Sequence, residues 1–399
     1  MTRAQLRVSY GVAAAWAALL LLGSLSGGFA ADEVTQEMTV FWSAPRFAVR
    51  DLLRVSDGSV IALVNNSTKQ GLALQVGLDE SGPGREIELS IDATRLGRDL
   101  HLRAGSGNTF WIGGGANFSR TLSSGALSDA YLAKLDGAGN IVWQRTFGRD
   151  RRREIQDIAS LDGGDALVVG IDDDQTWLAR ISTNGEMVWE KTFGLAQAAS
   201  IAQIGAQVWV AAFDKAGPSI GNGRVTLWRF DNAGELVGKS VVREEVAVRP
   251  HLGGGLAKIV KNPQGTLYIF SGWDEGLRPP KPVAVTKLDI SGEVIWEKAL
   301  PSTILHDPPH RDTECLPSIA VLENGDAIVA CPDRGRTDVS QIDARTAEVT
   351  RTQIAIPEMQ NCEEGAGGVR FFFERDGQGL RLFGGGRGCT WLGGVLPTK

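Results

Sequence analysis

The sequence predicts an all-β chain folded as a β-propeller, and three observations carry that expectation. A two-strand phrase recurs along the chain. The residues on either side of its turn alternate apolar and polar. A second hairpin precedes each copy. Tyr131–Gly148 reads YLAKLDGAGNIVWQRTFG, Trp177–Gly194 reads WLARISTNGEMVWEKTFG, and Ala284–Leu300 reads AVTKLDISGEVIWEKAL. Leu227–Val242 is a worn copy, LWRFDNAGELVGKSVV. Recurrence at a fixed long period marks a repeat architecture.

Each half of the phrase alternates as a strand with one buried face requires. The joining turn, Asp136-Gly137-Ala138-Gly139 in the first copy, supplies glycine where positive φ is needed. The preceding hairpins are Ile155–Ile171 with its Asp162-Gly163-Gly164 turn, Val260–Ser271, and Ile319–Ala330. Every period therefore holds four short strands, A to D, in meander order. The turn between strands C and D falls near Gly82, Gly139, Gly185, Gly234, Gly292 and Ala347. This spacing is that of a propeller blade, roughly 40 to 50 residues, with loop insertions in the longer periods.

The blades are expected at about 47–90, 98–148, 154–194, 199–242, 252–300 and 315–355, with an incomplete last blade at 366–399. A strand at 37–42, EMTVFW, is expected to supply that blade's missing fourth strand and close the ring. The expectation is thus seven four-stranded blades in a single domain, 31–399, with six or eight as alternatives. Closure by the N-terminal strand would leave no open edge.

Residues 1–30 read as a secretory signal peptide. Arg3 and Arg7 precede an apolar stretch, Gly11–Leu22, and Gly28-Phe29-Ala30 offers small residues before a cut at Ala31. The apolar stretch is short for a membrane span, and no later segment is longer and as apolar. Export to the periplasm or the exterior is therefore expected, with no membrane span after cleavage. The chain is acidic, with a net charge of −6, which argues against a nucleic-acid partner. The four cysteines, Cys315, Cys331, Cys362 and Cys389, all lie late in the chain. An even count in an exported chain suggests disulfides. Cys315 with Cys331 and Cys362 with Cys389 is the preferred of three pairings.

The D-turn-G-x-x-x-W phrase resembles the repeats of bacterial quinoprotein-like and related secreted propellers. In that family the tryptophan docks one blade on the next, a role the resemblance gives to Trp143, Trp189 and Trp296, and also to Trp42. The turns here are one residue shorter than the quinoprotein pattern. Gln341–Thr350 has the longer spacing but carries Thr350 in place of the tryptophan. The family's quinone site needs adjacent cysteines and a calcium motif, which the sequence lacks, so no quinone cofactor is expected.

Candidate chemistry lies in the loops between blades, where binding residues concentrate on a rigid scaffold. Leu305–Cys315, LHDPPHRDTEC, holds His306, His310 and Asp312, and His251 opens the preceding blade at the equivalent junction. Imidazole with carboxylate suits a divalent metal or general acid–base work, against the plainer reading of a polar loop. The run Arg149-Asp150-Arg151-Arg152-Arg153-Glu154 carries four arginines, Arg149, Arg151, Arg152 and Arg153, that could hold an anion or form local ion pairs. Asp172-Asp173-Asp174 could ligate calcium, though without an alternating ligand pattern. Trp273 could stack on a sugar or peptide, or cap its blade. No catalytic or nucleotide motif occurs. The leading expectation is a binding module for a protein, peptide or glycan on the inter-blade loop face. The alternative is a metal-assisted hydrolase or lyase using His251, His306, His310 and Asp312.

Overall fold

The computed structural model describes residues 34–37, 39–45, 47–54, 60–66, 71–79, 82–121, 125–148, 151–194, 196–215, 223–246, 257–261, 265–271, 284–300, 318–322, 324–333, 336–355, 372–375, 380–386 and 389–395. The first strands among the described residues are β1 (Val34–Glu37) and β2 (Thr39–Pro45). Meanders then follow in strict succession: β3 (Phe47–Arg54), β4 (Val60–Asn66), β5 (Gly71–Asp79) and β6 (Gly82–Glu88); then β7 (Leu96–Ala104), β8 (Phe110–Thr121), β9 (Gly125–Leu135) and β10 (Ile141–Phe147). Next come β11 (Arg153–Ser160), β12 (Ala166–Asp172), β13 (Gln175–Ile181) and β14 (Met187–Phe193), and after them β15 (Ala196–Ile204), β16 (Gln207–Lys215), β17 (Gly223–Asp231) and β18 (Leu236–Val246). The last are β19 (Ala257–Lys261), β20 (Leu267–Ser271), β21 (Ala284–Leu288) and β22 (Val294–Ala299); β23 (Ser318–Val321), β24 (Ala327–Asp333), β25 (Arg336–Ile342) and β26 (Val349–Ala355); and β27 (Phe372–Arg375), β28 (Leu380–Gly386) and β29 (Cys389–Val395).

Within the sheets from β2 to β29 neighbouring strands pair antiparallel, and the innermost strands carry the ring. β3 packs on β7, β7 on β11, β11 on β15, β15 on β19, β19 on β23 and β23 on β27; β28 and β29 return to β3. The fold is an all-β propeller.

Its strand count corrects the sequence expectation of seven four-stranded blades. Six sheets have four strands; the other has five, in the order β1-β26-β25-β24-β23. Nor do residues 37–42 form one strand devoted to closing the last blade. The N-terminal chain is divided between two sheets. Glu37 ends β1 in the five-stranded sheet, and pairing with β29 begins at Thr39 and shifts register between Val40 and Trp42. The physical reason lies in the edges: β26 offers an unbroken ladder, and the chain's first described residues pair with it.

The repeated phrase builds the joints between blades. The indole of Trp143 donates from Nε1 to the Thr183 carbonyl in the next blade's C–D turn, 2.8 Å away. Trp296 donates to the Ala344 carbonyl at 3.2 Å. Gly185 sits in that turn at φ +81°, and a Cβ there would lie 3.0 Å from the Trp143 ring. Gly234, at φ +83°, lies over Trp189 in the same way, with a Cβ 3.0 Å from its ring. Glycine is required at both turns by backbone sign and by the flat ring beneath.

A cation on strand C makes a second joint at the same place. Lys134 donates to Thr183, Arg180 to the Asn232 carbonyl at 3.4 Å, Arg229 to the Ser291 carbonyl, and Lys287 to the Ala344 carbonyl at 2.8 Å. These four residues are cross-strand partners of Trp143, Trp189, Gly238 and Trp296. Where Gly238 replaces the tryptophan, buried Trp209 of β16 fills the space under the next turn, at Gly292. Trp143, Trp189 and Trp296 each lie against the C–D turn of the following blade. The side chain of Trp42 lies outside the described residues.

Candidate functional site

Of the loop candidates, His251, His306, His310, Asp312, Arg149 and Trp273 lie outside the described residues. So do Cys315 and Cys362, and the side chains of Cys331 and Cys389. Arg151 and Arg152 are described, and they mark the start of β11. Arg151 Nε lies 2.6 Å from Asp172 Oδ1. Arg152 Nε lies 2.9 Å from Glu154 Oε1, and its backbone N–H donates to Asp173 Oδ1 at 3.0 Å.

The next residue, Arg153, the fourth arginine of the run singled out in the sequence, is the centre of the cluster. It is 2% exposed. Its guanidinium reaches Asp172 Oδ2 at 2.6 Å and Glu190 Oε2 at 3.1 Å, and lies over the Trp177 ring, 4.6 Å from the centroid. Trp177 Nε1 also donates to Glu190 at 3.0 Å. Asp172 lies against two arginines, Arg151 and Arg153, while Asp173 accepts from the backbone and Asp174 is exposed. Among the described residues no group of three or more His, Cys, Asp or Glu could hold a metal.

A second polar cluster joins the inner strands and has no local sequence signature. Asp51 (β3), His101 (β7), Asp157 (β11), Ser200 (β15) and Lys258 (β19) pair with equivalent positions of the adjoining strands β4, β8, β12, β16 and β20. They form one repeat position on five consecutive innermost strands. Arg103, two residues beyond His101, spans its neighbours on both sides: Nη1 to Asp51 Oδ2 at 2.8 Å and Nη2 to Asp157 Oδ1 at 2.7 Å. An inner-strand side chain that touches the inner strands of both flanking blades must run along the channel wall.

Both aspartates also tie backbone. Asp51 accepts from the N–H groups of Leu52 and, in the next blade, Leu102, each at 2.9 Å. Asp157 accepts from Ile158, and in the next blade from Ile201 and the Ser200 hydroxyl at 2.6 Å. Burial pushes the Asp157 carboxyl up, but Arg103, then His101, Ser200 and Lys258 outweigh it and hold it below the usual carboxylate range. Burial likewise disfavours the Arg103 charge, and the two aspartates reverse that and raise its affinity for the proton. The arrangement is an electrostatic tie between blades.

The surface is distinctive along the outer strands. In β10, β14, β18 and β22 the ladder shifts just after the C–D turn, leaving Val142, Val188, Val237 and Ile295 outside the register. All four are exposed, by 52 to 57%. A bulge re-aims a side chain away from the sheet, and the one-residue-shorter turns noted in the sequence are its signal. On the two neighbouring blades β15–β18 and β19–β22, Leu236, Val294 and Ile290 add further exposed apolar surface, Ile290 at 72%.

No protein-family model matches this chain, and no curated protein matches it in sequence. Solved structures do match. A polysaccharide lyase of family 25, an ulvan lyase bound to -[GlcA(1-4)Rha3S]-, aligns with a TM-score of 0.53 at 8% identity over 89% of this chain and 95% of its own. The Neurospora crassa Pan2 WD40 domain aligns at 0.51 with 12% identity, over 92% and 98%. A chain of the structure of Drosophila Plexin A in complex with Semaphorin 1b aligns at 0.50 with 9% identity, over 91% of this chain and 88% of its own. The chain shares the propeller fold. At such identities the likeness is one of fold, and function must be argued from the site. No helix among the described residues is long and apolar enough to cross a membrane.

Proposed function

We propose that this protein is an exported interaction propeller whose partner is a protein or peptide. One observation carries the reading: Leu236, Val237, Ile290, Val294 and Ile295 are all exposed on two neighbouring blades. Grouped exposed apolar residues are a mark of protein contact. The described charged clusters support it from the other side, since Arg103 and Arg153 bind their own carboxylates and tie the scaffold. Propellers are commonly interaction modules. Export rests on the signal-peptide character of residues 1–30, and its check is the N-terminus of the periplasmic protein, expected at Ala31.

The test of the interaction places a photoreactive side chain at Val237, Ile290 or Arg152 in the exported protein and irradiates intact host cells. Discrete adducts are expected from Val237 and Ile290, and they should be lost in a Val237→Lys/Ile295→Lys background. No adduct from any of the three positions would overturn the interaction reading. Adducts from Arg152 alone would move the contact to the loop face.

A further inference from the structure

The exposed apolar residues of the outer strands sit between charges of opposite sign. In β14, β18 and β22 the bulged residue, Val188, Val237 or Ile295, comes two places after an exposed glutamate at the end of the C–D turn, Glu186, Glu235 or Glu293. Two or three places further along each strand stands a lysine, Lys191, Lys239 or Lys298. Three bands therefore run across these blades, acidic, apolar and basic in order. The outer bands can pair, and do so once within the chain: Lys191 Nζ lies 2.9 Å from Glu235 Oε1 of the following blade. Lys239 is engaged over the Trp228 ring, 3.8 Å from its centroid. On β22 both charges are left over: neither Glu293 nor Lys298 has a side-chain partner among the described residues. Between them lie exposed Val294 and Ile295, with exposed Ile290 in the turn before. The pattern stops at the next blade, where a longer turn is closed by an Ala347 N–H to Asp343 carbonyl bond and Val349 is half-buried.

We propose that this surface, β22 with its turn and the adjoining Leu236 and Val237 of β18, is a self-pairing face whose occupant is a second copy of this chain. The proposal rests on the interaction reading above and names the partner for it. A surface built for an acidic or a basic partner carries one sign of charge; this one carries both, at the two ends of one short strand. A two-fold axis passing beside Ile295 exchanges those ends, so Glu293 of each copy meets Lys298 of the other. The apolar centre, Ile290, Val294 and Ile295, then meets itself. A two-fold contact uses the same patch on both copies and requires that the patch complement itself in this way. The apolar centre supplies the burial, and the two crossed ion pairs fix the register and reject partners of uniform charge.

The experiment is sedimentation equilibrium of the whole mature chain over a concentration series. The proteins are wild type, Glu293→Lys, Lys298→Glu, the double exchange, Ile295→Lys and, on a distant blade, Val142→Lys. The wild type is expected to dimerise. Each single charge change sets like charges opposite one another and should weaken dimerisation about tenfold. The double exchange restores opposite signs and should return it to within about threefold of wild type. Ile295→Lys should abolish the dimer, and Val142→Lys should leave it unchanged. A monomeric wild type, single variants that dimerise like wild type, or a double exchange that restores nothing would overturn the proposal. The last is what a merely destabilised blade or an unspecific apolar contact would give. In cells, the adducts from Val237 and Ile290 should have twice the mass of the chain. Adducts of another mass with a monomeric purified chain would overturn self-pairing and leave the interaction reading standing; no adduct from any position would overturn both.

Discussion

Replacing Trp209 with alanine tests the account of how the blades are joined. Its indole is 1% exposed, donates from Nε1 to Gln207 at 3.1 Å, and lies beneath Gly292, where an added Cβ would be 3.3 Å from the ring. The Arg229 guanidinium lies over it, 5.5 Å from the centroid. An indole buries roughly 150–250 Å², which at about 25 cal/mol per Å² is worth roughly 4–6 kcal/mol. Truncating a buried tryptophan costs about 3–5 kcal/mol by mutational experience, so the expected loss is about 4 kcal/mol. The structure adds a sharper expectation. Gly238 occupies the position held by Trp143, Trp189 and Trp296 in the other blades. Gly238→Trp alone overpacks the joint and should cost about 1–3 kcal/mol. Added to Trp209→Ala, it should instead recover about 2 kcal/mol, because an indole from β18 reaches the vacated space. The atoms nearest a Cβ at Gly238 belong to the Arg229 guanidinium, the first 2.7 Å away, so that side chain must shift to admit the indole. The assay is urea denaturation at pH 7 followed by circular dichroism, arranged as a double-mutant cycle. A single-variant cost below about 1.5 kcal/mol, or strictly additive effects, would refute the reasoning.

Three further outcomes are expected. Arg153→Met removes the buried partner of Asp172 and Glu190, leaving Asp172 only Arg151 and Glu190 only the Trp177 indole among the partners described above, and should cost about 3 kcal/mol, with part restored by Asp172→Asn; equal denaturation midpoints for wild type and variant would count against the buried ion pair. Asp157 is held below its ordinary range, so its ionisation contributes stability that is complete above the unfolded value of about 3.9 and is lost as pH falls through the lower folded value. Asp157→Asn should therefore be less stable at pH 7 and show a flatter acid limb in urea midpoints measured from pH 2 to 5. Gly185→Ala should cost about 1–2 kcal/mol because it forces an L side chain to positive φ against Trp143, while Gly163→Ala, with no atom within 4 Å of the new Cβ, should change thermal stability little.

The repeated phrase made the four-strand period and the tryptophan joints legible because turn, strand pattern and ring lie within one short stretch. What it could not convey was anything set by another blade. Arg153 stands in a run of arginines, and only Asp172, Glu190 and Trp177 closing around it make it a buried ion pair. Asp51, His101, Arg103 and Asp157 are ordinary residues a blade apart, brought together because the innermost strands of consecutive blades pack side by side. The division of the N-terminal chain between two sheets was illegible for a related reason: strand pairing depends on which edge stands open. The clue was present in the turn lengths. The shorter turns force a bulge, and the longer turn at Asp343–Ala347 removes it.

These joints run in one direction, and that shapes how the molecule must unfold. Trp143, Trp189 and Trp296, with the cations Lys134, Arg180, Arg229 and Lys287, each reach into the turn of the following blade. A blade that melts therefore uncovers the apolar ring of the one before it and removes the carbonyl that its cation needs. In an open solenoid such nearest-neighbour coupling lets terminal repeats fray. Here β28 and β29 pack on β3, so the last sheet supports the first, and the chain has no terminal repeat to lose cheaply. The Arg103 tie works on the same principle at the channel wall, holding three blades with one side chain. Stability is thus a property of the closed ring, and its cost is kinetic: the closing contacts join residues from opposite ends of the chain, which form late and slowly.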